Sequence, residues 1–198
     1  MDFIVLQKIM RRLALKAGDA IMEVYNSDDF KVKTKSDASP VTAADEAADA
    51  IISAGLRAAF PDVTLITEEQ AESHALKGTE FLIVDPLDGT KEFVHRRGDF
   101  TVNIAYVVNG TPIRGIVYAP AKQRLFYTDA DGQSLEETGP FEIEKIGACQ
   151  HISVAVPNPE SLRVVASKSH RDETTDAYIA KYPVSDLKSA GSSLKFCL

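Results

Sequence analysis

Cysteine is scarce: Cys149 and Cys197 are the two in 198 residues, far apart and without a Cys-x-x-Cys pair. That excludes a disulfide scaffold and suits a reducing compartment, with both thiols expected to be buried. No Cys/His set recurs at zinc spacing, so a zinc site is excluded as well. Basic residues are outnumbered, 22 Lys and Arg against 29 Asp and Glu, and the net charge is −7. This sets aside a nucleic-acid polymer or an anionic membrane as the main partner, and a polyanionic substrate would need metal cations beside it. Long apolar runs are missing too. Asp2, Lys8, Arg11 and Arg12 interrupt the opening residues, so no signal-peptide core and no transmembrane segment are expected. The expectation is a soluble, cytoplasmic chain, with peripheral attachment to the inner face of the membrane as the furthest it would go.

Hydrophobic residues, at 44%, are enough for a sizeable core in one large or two small domains. The rest is organised around Phe81-Leu82-Ile83-Val84-Asp85-Pro86-Leu87-Asp88-Gly89-Thr90. Four apolar residues in a row predict a strand covered on both faces, and Pro86, which has no N–H to donate, predicts its end just after Asp85. Asp85 and Asp88 would then stand at a strand's carboxyl end and converge on a cation. The N–H groups of Gly89 and Thr90 would face an anion if a helix begins there. An Asp-Gly turn with an Asp cap is the plainer reading of the same residues.

The flanking segments read as support. Leu6, Met10, Leu13, Ala17, Ile21 and Val24 recur at helical steps, predicting an amphipathic helix with Lys and Arg on its other face. Residues 30–34 alternate as a short strand. Thr42 followed three residues on by Asp45 resembles a capping box opening a helix that stops before Pro61, and capping alone would explain both. Residues 63–67 form a second apolar strand that delivers Glu68-Glu69. If the two strands are neighbours, Glu68, Asp85 and Asp88 make an oxygen-rich cluster suited to Mg²⁺; otherwise the Glu pair is solvated charge. Asn109-Gly110 predicts a hairpin between 101–108 and 111–118, with a third strand over 123–128. Lys91, Arg96 and Arg97 could hold a second anionic group or serve solubility alone. Residues 136–159 are polar and interrupted by proline, and would hold a boundary between domains 1–150 and 151–198. A buried strand over 162–166, a helix over 171–181 and a short apolar helix at the chain's last residues complete the reading.

The three spaced motifs Ser39-Pro40-Val41-Thr42-Ala43-Ala44-Asp45, Glu68-Glu69 and Asp85-Pro86-Leu87-Asp88-Gly89-Thr90 resemble the lithium-sensitive, magnesium-dependent phosphomonoesterases of the inositol monophosphatase family. Lys91-Glu92-Phe93, Ser167-Lys168-Ser169-His170 and Gly191-Ser192-Ser193-Leu194-Lys195-Phe196-Cys197 resemble its bacterial 3′(2′),5′-bisphosphate nucleotidase branch. The resemblance implies a layered αβαβα sugar-phosphatase-like fold (α+β, or α/β layered). It implies Mg²⁺, two or three ions in the complete family site, held by Glu68, Asp85, Asp88 and the Leu87 carbonyl. Asp45 and Thr42 would surround the nucleophile, Thr90 with Glu68 would orient the attacking water, and Asp88, Gly89 and Thr90 would meet phosphate. His170, Ser192 and Lys195 would contact the nucleotide. The implied reaction is hydrolysis of 3′-phosphoadenosine 5′-phosphate to AMP and phosphate by metal-activated water, in a cytoplasmic chain that could pair as a homodimer.

The family also carries a Trp-Asp motif completing a metal site, and this sequence has no Trp. That departure suggests a chain truncated at its C-terminal end, with the second α/β half incomplete and the strand over 162–166 short of neighbours. Two other readings therefore stand beside the nucleotidase: a phosphatase for inositol or another sugar phosphate, and a non-catalytic metal- or nucleotide-binding module.

Overall fold

The computed structural model describes residues 1–27, 32–34 and 40–198. In chain order the elements are α1 (Phe3–Asn26), β1 (Val32–Thr34), β2 (Pro40–Thr42), α2 (Ala43–Ala59), β3 (Thr64–Thr67), β4 (Glu80–Asp88), α3 (Thr90–Val94), β5 (Thr101–Val108), β6 (Thr111–Ala119), β7 (Arg124–Thr128), β8 (Ser134–Thr138), β9 (Cys149–His151), β10 (Leu162–Ser167), α4 (Glu173–Ile179) and β11 (Val184–Ala190). Short 3₁₀ turns lie at Ala71–Ala75, Pro120–Lys122 and Ser193–Cys197.

Seven strands form one sheet in the order β3-β4-β5-β6-β7-β8-β9. β3 pairs parallel to β4, and from β4 onward each strand pairs antiparallel with the next. Each such pairing needs only a short connection, as at Asn109-Gly110, where both residues adopt the left-handed conformation that this turn requires. α1 and α2 cover one face. The helical stripe Leu6, Met10, Leu13, Ala17 and Ile21 meets Leu82, Val84, Ile104 and Ile116 in the main core, with Ala48, Ile52 and Leu56 of α2 beside them. Asp2 caps α1 by accepting from the N–H groups of Ile4 at 2.9 Å and Val5 at 3.1 Å. On the sheet's other face, Val117, Phe126 and Ile152 pack with Leu194 and Cys197. Beyond His151 the chain crosses without regular structure to the parallel pair β10–β11.

Several expectations are corrected. β4 is buried on one face only: Leu82 and Val84 are inside while Ile83 is 41% exposed. Pro86 does not end the strand. β4 carries one more residue than β5 between the pairs Asp85–Asn103 and Asp88–Thr101, and this bulge absorbs the proline that cannot donate to the ladder. Arg11 is not on the solvent side of α1 but buried. β10 has a parallel neighbour in β11. Cys149 is exposed and Cys197 half-buried, because Cys149 starts the outermost strand. The last turn is 3₁₀ rather than an apolar α-helix. The strand expected over 30–34 is described only at Val32–Thr34, and residues 35–39 lie outside the described residues.

Candidate active site

Glu68 follows directly on β3, and its N–H donates to Val84 O at 3.1 Å, which extends the parallel ladder by one step and carries Glu68 alongside Asp85. The bulge after Asp85 then turns the chain so that Asp88 reaches the same end of the sheet. The Asp85 carboxyl is pushed up to about 8. Burial is the first cause, followed by the negative charges of Glu68 and Asp88 and a hydrogen bond shared with Glu68. Its Oδ1 is buried and has no hydrogen-bond partner among the described residues.

Gly89 links this acid cluster to α3. Its φ of +91° lies in the left-handed region, and a Cβ there would stand 3.0 Å from Ser192 Cβ and 3.1 Å from Asp99 O. We therefore expect Gly89→Ala to cost about 1–2 kcal/mol in a urea melt. Thr90 opens α3, and its hydroxyl faces the Leu87 carbonyl at 3.5 Å. Asp45 lies in the first turn of α2 and is 1% exposed. Thr42 ends β2, but its side chain lies outside what the structure describes.

The opposite wall comes from the last part of the chain. His170, Ser192 and Lys195 line a cleft of about 440 Å³ together with Glu68, Asp88, Gly89 and Thr90. Lys91 Nζ donates to His170 Nε2 at 3.2 Å, and Lys195 Nζ donates to Ser192 O at 2.6 Å. Acidic side chains, the turn at Gly89-Thr90 and three side chains from two distant segments thus meet in one cleft.

Sequence reasoning missed several residues here. Asp88 Oδ2 accepts from Ser193 N–H, and Ser193 Oγ donates to Asn103 Oδ1 at 2.7 Å while lying 2.8 Å from Thr101 Oγ1. Asn103 is the register partner of Asp85, which is the signal that pairing the hairpin with β4 would have supplied. Asp49, one turn after Asp45 on α2, accepts from Thr67 Oγ1, from Gln70 Nε2 at 2.7 Å and from Ser53 Oγ at 3.1 Å, tying α2 to the end of β3 that presents Glu68. Asp99 and Glu92 are buried carboxylates, and Glu92 lines the cleft. Burial opposes ionisation of Asp99, but Lys122, Lys168 and the Gly191 N–H outweigh it and hold the carboxyl below the usual range.

Among the described residues, no three carboxylate, imidazole or thiol side chains close a ready-made metal cage. What the site offers is an open set: a buried Asp85 oxygen without a partner, crowded by two further carboxylates. That arrangement is relieved by a cation and fits Mg²⁺, which uses one or two carboxylates and keeps several waters. Asp85 and Glu68 would hold it, with Asp88 beside them.

A cluster of acids at a strand end, beside the turn that opens α3, is the centre of the cleft, and the chain belongs to the inositol monophosphatase family, whose model matches residues 5–198. It is 43% identical over 190 residues to the 3′(2′),5′-bisphosphate nucleotidase CysQ of Escherichia coli K12, covering 94% of this chain and 73% of that protein. The crystal structure of CysQ from Bacteroides thetaiotaomicron, a bacterial member of the same family, matches with a TM-score of 0.74 at 33% identity, over 97% of this chain and 75% of that one. An IMPase from Thermotoga maritima matches with a TM-score of 0.73 at 27% identity, over 94% of this chain and 68% of that one.

Proposed function

We propose that this chain is a Mg²⁺-dependent phosphomonoesterase that removes the 3′-phosphate of 3′-phosphoadenosine 5′-phosphate, leaving AMP. The observation that carries the reading is the two-walled cleft: the acid cluster and the Gly89-Thr90 turn on one side, and His170, Ser192 and Lys195 on the other. A monophosphate needs only the first wall, while a substrate with a second anionic group uses both. The activity named for the Escherichia coli relative supports the same choice.

When bound, Mg²⁺ supplies charge neutralisation at the phosphoryl oxygens and a more acidic water. The chain's own residues do the rest. Asp85 and Glu68 place crowded carboxyl oxygens where the cation belongs, and Asp88 is held in place by the Ser193 N–H. Glu68 and the Thr90 hydroxyl align a water for in-line attack, Glu68 taking its proton. The N–H groups of Gly89 and Thr90 face the phosphoryl oxygens. Lys195 and His170 bind the remaining phosphate and fix the nucleotide's orientation. No side chain here is required as a covalent nucleophile. The division into residues 1–150 and 151–198, a cytoplasmic location and a homodimer are put forward with this reading; among the described residues no helix is long and apolar enough to cross a membrane.

The test is phosphate release from 3′-phosphoadenosine 5′-phosphate with and without Mg²⁺, and with Li⁺ added. Release should require Mg²⁺ and be inhibited by Li⁺. Asp88→Asn should fold normally and lose more than about 100-fold in rate, beyond what an outer-shell partner contributes. Clear preference for an inositol phosphate would replace the nucleotidase reading with the sugar-phosphate one. Binding without turnover would favour a non-catalytic module.

A further inference from the structure

Two buried carboxylates take no part in the mechanism above. Glu92 is 3% and Asp99 5% exposed; Glu92 lies on α3 and Asp99 in the segment that connects α3 to β5. Apart from Arg97, their partners come from elsewhere in the chain. Glu92 Oε1 accepts from the Ser169 hydroxyl, and Glu92 Oε2 lies 3.5 Å from Arg97, whose guanidinium also donates to Ser169 Oγ at 2.9 Å. Asp99 Oδ2 receives Lys168 Nζ and the Gly191 N–H, each at 3.3 Å, and Asp99 Oδ1 meets Lys122 at 3.2 Å.

These contacts fall on the residues just before the second wall of the cleft. Lys168 and Ser169 precede His170; Gly191 precedes Ser192. Gly191 is packed so closely that a Cβ on it would lie 2.6 Å from Glu92 Cγ and 3.0 Å from Asp99 Cβ. The Asp99 backbone in turn lies against Gly89, its carbonyl 3.1 Å from where a Gly89 Cβ would be. Asp99 therefore touches both walls: its main chain backs the phosphate turn and its side chain holds the start of the nucleotide wall.

We propose that Asp99 and Glu92 form a buried acidic latch that sets the spacing between the two walls, acting as positioning residues for substrates that reach across the cleft. This rests on the nucleotidase reading, and it deepens it by assigning the preference for a two-phosphate substrate to a buried pair that acts through the wall residues it holds in place. A small phosphomonoester engages the hydrolytic wall alone and is indifferent to the latch. A nucleoside bisphosphate needs both walls at a fixed separation.

Asp99→Asn is the discriminating variant, because latch and bulk charge predict opposite signs. Removing a negative charge next to Lys168 and Lys122 makes the cleft more positive, which by electrostatics alone tightens binding of a polyanion. The latch predicts that KM and Kd for 3′-phosphoadenosine 5′-phosphate rise at least fivefold, with kcat and turnover of p-nitrophenyl phosphate within twofold of wild type. Asp99→Glu should recover part of the loss. Ser169→Ala, which removes one partner of Glu92 at a half-buried position and leaves both carboxylates in place, should show the same KM effect at smaller size if Asp99→Asn fails to fold. Unchanged or tighter nucleotide binding in the folded variants would overturn the latch. Wild-type binding by calorimetry without turnover would overturn the catalytic reading alone and leave the Kd comparison to decide the latch. Absence of nucleotide binding by wild type would overturn both.

Discussion

Without Mg²⁺, the chain should melt at progressively lower temperature as pH is raised from 5 to 8. The cause is Asp85, whose carboxyl titrates near 8 when folded against an ordinary value of 3.8. Between those values the folded chain keeps a proton that the unfolded chain has lost, so each step up in pH favours unfolding, and the trend levels off above about pH 8. One proton in this window is worth at most about 1.4 kcal/mol per pH unit, or roughly 3–5 °C for a chain of this size. Asp99 and Glu136, whose values are lowered, act with the opposite sign and in a more acidic range, contributing stability present above the ordinary carboxylate values and lost as pH falls below them. Saturating Mg²⁺ should flatten the slope at neutral pH and above, since a cation replaces the proton among Glu68, Asp85 and Asp88. Asp85→Asn should abolish the slope, melt higher than wild type at pH 8 without metal, gain nothing from Mg²⁺, and release no phosphate. A wild-type melting curve flat from pH 5 to 8 would remove Asp85 as the site's cation anchor.

Arg11→Ala should be the most destabilising single change away from the site, by about 3–5 kcal/mol, or roughly 10 °C in melting temperature. Its guanidinium pairs with Glu137 through Nε at 2.8 Å and Nη2 at 2.7 Å, and Glu137 has no exposed surface. The same side chain donates to the carbonyls of Glu142, Ile143 and Lys145 at 2.9–3.1 Å. Removing it strands a buried carboxylate and releases the loop between β8 and β9 from α1. The double variant Arg11→Met with Glu137→Leu should recover most of the loss, because a buried pair replaced by apolar side chains of similar size costs little. Equal stability of Arg11→Ala and wild type in urea would show that solvent reaches the pair.

The contrast between these two predictions shows what was legible in the sequence. That Asp85, Asp88 and Glu68 come together could be read, because each stands at the end of a short apolar strand and the two strands are neighbours. The Asn109-Gly110 hairpin and the stripe of α1 are equally local. Arg11 was not legible: on a helical wheel it is one more cation, and its partner lies 126 positions away. β11 was missed because Val184-Ser185-Asp186-Leu187-Lys188-Ser189-Ala190 is largely exposed, with no alternation to read, and exists only through its parallel partner β10. Pro86 misled because a bulge can absorb a missing donor, and a bulge is a property of two strands together. Asp99 and Glu92 look like surface acids until the Lys168–Ser169 and Gly191 segments fold over them.

The order of strands across the sheet also has a history in time. From β4 to β9 each strand pairs with its successor, so those contacts close only short loops and can form early. Glu68 follows β3, the parallel edge of the seven-stranded sheet, and Ser192 and Lys195 come from more than a hundred residues further along the chain. The meander can therefore exist as a framework before the acids and the nucleotide wall are joined. The cleft is thus a long-range assembly, complete only where residues 167–195 pack against the end of the sheet that presents Glu68 and Asp88.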